Sequence, residues 1–162
     1  MRKLEIFADN LFAHEVLHFL SGIAMFFLIY QLFGKFSLAV LAFLISVLID
    51  IDHYLESLIF SGFNFKRIFT LDPGNYWEKT GKITILLHSW EILPLTLFLG
   101  WIFGQQPLAL TVVLSLFIHY VIDTVLYVSY KKMSIFHYFF IFRLYHKFDY
   151  KILCPGDKGD TG

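Results

Sequence analysis

Four stretches of this chain are apolar for about the length of a membrane crossing, and every one of them carries histidine and carboxylate side chains. They cover residues 12–33, 36–60, 83–103 and 107–130. A spanning helix needs about 20 residues, and inside a bilayer only helices and closed barrels satisfy their own backbone. Helices are therefore expected at all four. The second qualifies only if its charged C-terminal part reaches the interface or is buried in protein, because only fourteen uncharged residues, 36–49, precede Asp50.

The composition points the same way. Of 162 residues, 57% are hydrophobic and 16% charged, against about 25% charged in a typical soluble domain. An integral membrane protein is expected. Thirteen basic residues balance thirteen acidic ones, which gives no pull towards nucleic acid. The single cysteine, Cys154, excludes an internal disulfide and a cysteine-based zinc site. Arg2 and Lys3 precede the first stretch as in a signal peptide. Its apolar run is longer than the usual h-region of about 7–15 residues, and no A-x-A-like cleavage site follows. It reads as a retained anchor.

Gly34-Lys35 and Gly104-Gln105-Gln106-Pro107 are turn-like breaks, so the stretches pair into two hairpins. Pro94 is expected to kink the third helix. Residues 62–82 form a long central loop. The fold class expected is all-α: one integral-membrane domain over residues 1–150, built as a four-helix bundle running up, down, up, down. An aromatic, interfacial C-terminal element follows at 134–150, then a polar, disordered tail at 151–162. This topology puts both termini and the central loop on one side. Twelve of the 13 Lys and Arg residues fall there, with Lys35 alone opposite. The positive-inside rule makes that side the cytoplasmic face of a cytoplasmic or inner membrane.

An ionisable side chain at mid-helix costs about 2.5–3.5 kcal/mol on insertion scales, so the polar residues need a reason. The first stretch has His14, Glu15 and His18; the second Asp50, Asp52, His53 and Glu56; the third His88 and Glu91; the fourth His119 and Asp123. Within each helix the members pair at i,i+3 or i,i+4 and share a face. In the expected topology all four stripes fall in the cytoplasmic half and can meet. Histidine with carboxylate is ligand chemistry for zinc and related divalent ions, and bundle-core metal sites are built from facing helices in this way. His14, His18, Asp50, His53, His88, His119 and Asp123 are the expected ligands of one or two divalent ions, with zinc the best fit. Asp52, Glu15 and Glu91 are the expected acid/base or ligand-orienting groups. A lone histidine in a membrane helix also serves as a hydrogen-bonded packing residue, but four stripes at one depth point to a shared site. His137 and His146, in the aromatic C-terminal stretch, are expected to be uninvolved.

The ordered set "LIDIDH" (48–53), "LLHSW" (86–90) and "IHYVIDT" (118–124), after an early membrane-embedded histidine, resembles the YdjM-like family of inner-membrane metal-dependent hydrolases. The resemblance covers residues 13–124. It implies that Asp50, Asp52 and His53 belong to the second motif, His88 to the third, and His119 and Asp123 to the last. The early histidine is either His14 or His18. Leu48-Ile49 replaces the family's proline region, and Ile83 stands where the third motif's first histidine would be. The family's HxxxD pair is also similar to that of zinc-dependent phospholipase C, an analogy that implies phosphoester substrates.

The activity expected is hydrolysis of an ester, by that analogy a phosphoester, in a lipid or lipid-linked substrate entering from the cytoplasmic leaflet. Lys79 and Lys82 lie where they could attract a phosphate, although they also read as ordinary positive-inside charges. "HEVLH" (14–18) fits H-E-x-x-H and raises the alternative of an intramembrane zinc metalloprotease, with Glu15 as base and Asp50 or Asp123 as third ligand. A non-enzymatic metal- or proton-handling protein is a third class. The nearly all-apolar outer half of each segment argues against a pore.

Overall fold

The computed structural model of the protein describes residues 11–61, 77, 80–130 and 133–155. Among these the chain is helical, and no strand occurs beyond one isolated antiparallel bridge between Lys82 and Asp149. Helix α1 spans Leu11–Phe33, α2 Phe36–Leu48, α3 Ile51–Ser61, α4 Ile92–Ile102 and α5 Gln106–Tyr130. A 3-10 turn at Ile135–Tyr138 leads into α6 at Phe140–Tyr145 and α7 at Tyr150–Leu153. Three stretches are long and apolar enough to cross a membrane: His14–Phe33, Phe36–His53 and Gln106–Ser129. Arg2, Lys3, Lys79, most of the central loop 62–82 and residues 156–162 of the tail lie outside the described residues.

The turn glycines end the helices as their positions suggest. Gly34 at φ +63° and Gly104 at φ +66° adopt the left-handed conformation that glycine tolerates without strain. Helix α1 packs on α2, and α5 packs on α1, α2 and α4. The helices meet through small side chains, as membrane helices do when lipid supplies no hydrophobic drive for their association. Ala39 and Ala42 of α2 are fully buried, and Met25 and Ile29 of α1 fill the same core with Ala42. At Gly100 of α4 a Cβ would stand 2.2 Å from the Cβ of Ala109 on α5.

The third stretch corrects the expectation of four spanning helices. Helix α4 has 11 residues, a rise of about 16 Å, roughly half of a bilayer core of about 30 Å. Residues 83–91 are not helical. Pro94 sits in the first turn of α4, where its missing N–H is no loss, and starts the helix rather than kinking it. Non-helical backbone beside apolar helices needs partners for its N–H and C=O groups, and here other parts of the chain supply them. Leu87 N–H donates to Asp52 Oδ2 at 2.9 Å, and Thr84 N–H donates to Glu56 Oε1. The Leu87 carbonyl accepts from the Tyr120 hydroxyl, and Trp90 N–H donates to the Tyr138 carbonyl at 3.0 Å.

A second correction concerns the C-terminus. The C-terminal element also contributes to a core: Trp77, Ile83, Ile85, Tyr127, Met133, Tyr138, Tyr150, Leu153 and Cys154 pack together. The polar tail therefore does not begin at 151, since Leu153 and Cys154 are buried. The helix hydrogen-bond ladder of the second stretch also breaks at Ile49–Asp50, between α2 and α3. That break frees Asp50 and Asp52 to turn towards the 83–91 segment.

Candidate metal centre

Asp50, His88, His119 and Asp123 are all buried, and one ligand atom from each lies within 4.8 Å of the other three. His88 Nε2 is 3.1 Å from Asp50 Oδ1, 3.2 Å from His119 Nε2 and 3.5 Å from Asp123 Oδ2. His119 Nε2 is 3.4 Å from Asp50 Oδ1 and 3.2 Å from Asp123 Oδ2. The other nitrogen of each ring is already a donor. His88 Nδ1–H donates to Asp52 at 3.0 Å, and His119 Nδ1–H donates to the Ser46 carbonyl at 3.1 Å. Carboxylates and carbonyls can only accept, so both Nε2 atoms carry lone pairs in the neutral rings. Four acceptors then converge with no donor among them. A proton on one ring would satisfy part of this arrangement; a divalent cation would satisfy all of it. Five of the six separations among these atoms are 3.1–3.5 Å, and all lie within 4.8 Å. Those five separations are close to the ligand-to-ligand spacing of a tetrahedral site with zinc–nitrogen and zinc–oxygen lengths of about 2.0–2.2 Å.

A second set shares one residue with the first. His14 and His18, one turn apart on α1, approach Nε2 to Nε2 at 2.9 Å. Asp123 Oδ1 lies 2.9 Å from His18 Nε2 and 3.3 Å from His14 Nε2. That oxygen is buried, yet it accepts a well-formed hydrogen bond from neither ring. Close approach without hydrogen-bond geometry again suits a shared cation. This set has three protein ligands, which leaves a position open. Spacing left open which of His14 and His18 joins the centre; the fold brings both.

No family model matches the chain, and no curated protein and no solved structure matches it. What the centre can do rests on its own geometry.

Asp123 joins the two sets, with Oδ1 facing His14 and His18 and Oδ2 facing His88 and His119. The Tyr138 hydroxyl donates to Oδ2 at 3.0 Å. Burial and the Asp123 charge hold this phenol well above its usual range, so it remains a donor. Asp52 stands behind His88, accepting from its Nδ1 and from Leu87 N–H, which is the place of an orienting carboxylate. His53 is peripheral to the first set: its Nε2 is 3.8 Å from Asp50 Oδ1, and its ring lies 4.6 Å from that of His88. It groups with Asp52 and His88.

The remaining carboxylates separate. Glu15 is half-buried beside His14 and makes no hydrogen bond or ion pair among the described residues. Glu91 is not in the cluster. Its two oxygens accept from Phe140 N–H and Ile141 N–H, each at 3.0 Å. The expected His88/Glu91 face assumed a helix at 83–91; without one, the two side chains diverge. Glu56 accepts from Trp77 Nε1 at 2.9 Å and from Thr84, and braces the irregular segment. Lys82 is exposed. Tyr138, Tyr120 and Arg143 contact the centre or the segment that carries His88, and sequence reasoning missed all three. Tyr138 and Arg143 lie in an aromatic run without helical period or metal-ligand spacing, so only the tertiary fold reveals them.

Proposed function

We propose that this chain is a membrane-embedded metal-dependent hydrolase of the YdjM-like type, holding two divalent ions, best zinc. Its substrate is a phosphoester in a lipid or lipid-linked molecule. The observation that carries the reading is Asp123, one carboxylate shared by a closed four-ligand set and an open three-ligand set. Paired ions of this kind supply Lewis acidity and activate water at neutral pH. Asp50, His88, His119 and Asp123 Oδ2 would hold one ion; His14, His18 and Asp123 Oδ1 would hold the other. Asp52 fixes the His88 tautomer, the Ser46 carbonyl fixes that of His119, and Tyr138 fixes the shared carboxylate. Glu15, half-buried next to the open set and without a hydrogen-bond or ion-pair partner among the described residues, is the group that would take a proton from the attacking water. The cluster lies at the end of α1 and α5 away from the Gly34 and Gly104 turns. The charge asymmetry of the sequence supports a cytoplasmic orientation for that end, where a substrate headgroup would be within reach.

A second reading has its own support. His14, Glu15 and His18 are the H-E-x-x-H residues, and Asp123 is a third ligand, as an intramembrane metalloprotease needs. That reading requires one ion and leaves Asp50, His88 and His119 without a role. Elemental analysis of protein purified in mild detergent separates the two, with two ions per chain expected. Metal-loaded protein is then incubated with a panel of phospholipids and lipid-linked phosphates, with products read by mass spectrometry. No bound ion on titration, or cleavage of a transmembrane peptide alone, overturns the hydrolase reading.

A further inference from the structure

Arg143 is fully buried, yet among the described residues it has no acidic partner. Its Nη2 donates to the His88 carbonyl at 3.2 Å and to Ser89 Oγ at 2.6 Å. Its Nε and Nη1 have no acceptor among the described residues. Burial pulls its pKa below the usual value, while Tyr138, Asp52, Glu91 and Glu56 oppose that only at longer range. Those carboxylates are already committed: Asp52 to His88 and Leu87, Glu91 to two backbone amides, Glu56 to Trp77 and Thr84. A buried cation without a counter-charge costs several kcal/mol, and a guanidinium is always charged. Unsatisfied buried donors add about 1–3 kcal/mol each. A chain that only needed to tie residues 88–89 in place could use a neutral donor.

We propose that Arg143 is the receptor for a phosphate group, binding its oxygens through the free Nε and Nη1 donors. The proposal rests on the hydrolase reading for its substrate and deepens it, since it names the side chain that holds the substrate's phosphate. Guanidinium is suited to this task because its planar donors match phosphate oxygens. The placement is apt. The backbone of His88 holds the guanidinium while its imidazole enters the ligand cluster, so a phosphate on Arg143 is one residue away from the centre. The phosphate belongs either to a lipid headgroup or to free phosphate, the product of a monoester's hydrolysis.

The test measures binding of inorganic phosphate and of dihexanoyl phosphatidic acid to the full-length protein in detergent, by calorimetry. Wild type, Arg143→Gln and Arg143→Lys are compared, each with its metal content and helicity recorded. Arg143→Gln is expected to weaken phosphate binding about 30-fold or more, a loss that persists when affinities are compared at equal metal content, and Arg143→Lys to fall between. Loss confined to phosphatidic acid identifies a lipid source; loss for both ligands identifies a general phosphate site. Unchanged affinity for both ligands in Arg143→Gln, with metal retained, overturns the proposal and leaves the metal reading standing. If Arg143→Gln does not fold, Arg143→Lys carries the test, and wild-type affinity in that folded variant overturns the proposal equally. Protein that binds no metal but binds phosphate through Arg143 would sink the hydrolase reading and keep this one.

Discussion

The two ends of this molecule solve the same problem in opposite ways. Around the Gly34 and Gly104 turns, the backbone stays helical and satisfies itself, and Ala39, Ala42, Met25 and Ile29 need only fit. At the other end the helices break at Ile49–Asp50 and at residues 83–91. There, Asp52, Glu56, Tyr120, Arg143 and Glu91 each take up at least one backbone group. Several of the same side chains also touch ligand residues, so the scaffold and the centre cannot be altered separately at that end. The difference teaches that irregular backbone in a bilayer is bought with polar side chains, which then become available for chemistry.

The largest expected effect falls on the residue both ligand sets share. Loss of an outer partner of a ligand typically costs about 10–100-fold in metal affinity. Asp123→Asn removes the charge that faces both sets, so the loss should exceed that range for both ions together. Titration with zinc, followed by elemental analysis and checked for retained helicity, reads it. Retention of one ion at wild-type affinity would break the idea of a shared carboxylate.

Next comes the pH dependence of the polar end. Burial holds His137 down at about 4, against a weaker opposing pull from the Ser134 carbonyl. Above about pH 6.5 the ring is neutral both folded and unfolded, and contributes no pH dependence. As the pH falls from about 6.5 towards 4, the unfolded chain takes up a proton that the folded chain refuses, and stability declines. The full decline is about 3 kcal/mol. His137→Gln should flatten the slope of melting temperature against pH in that window, relative to wild type. The ligand histidines titrate in both proteins, so the difference isolates His137, and identical slopes would count against its burial as a neutral ring.

How much of this was legible in the sequence differs between the ends for the same reason. The first and last stretches, expected at 12–33 and 107–130, form helices at Leu11–Phe33 and Gln106–Tyr130. A long apolar run leaves no alternative where lipid is the solvent. The third stretch misled because apolar residues at 83–91 are equally at home in buried irregular backbone. His14, His18, Asp50, Asp52, His88, His119 and Asp123 were visible as polar groups in apolar surroundings, and the fold gathers them. Glu91 was misplaced because its spacing from His88 has meaning only on a helix. Tyr138 and Arg143 were hidden because a residue's reach across the fold leaves no periodic trace.

A smaller effect tests the helical end alone. Gly100→Ala would put a Cβ 2.2 Å from that of Ala109, and overpacking of this kind costs about 1–3 kcal/mol. Thermal unfolding in detergent should show the loss, Ala109→Gly in the same chain should recover much of it, and metal content should not move. A metal loss in Gly100→Ala would mean that the two ends are coupled through α5 and are not separate regions.

The smallest effect belongs to His146, which shares the C-terminal element with Tyr138 and His137 but not their surroundings. Its ring is half-buried and packs on Phe142 at 4.5 Å and Tyr145 at 5.0 Å between centroids. Its backbone, by contrast, sits in the turn through bonds to the Phe142 carbonyl and from Asp149 N–H, which a side-chain truncation leaves in place. His146→Ala therefore removes ring contacts at a partly solvated edge and no hydrogen bond to the centre. Stability should change by no more than about 0.5 kcal/mol, and zinc titration should match wild type. A drop in zinc binding in this variant would show that the ring's packing on Phe142 is transmitted through the neighbouring Arg143 to His88. The contrast between centre and support would then have to be drawn further out than Tyr138.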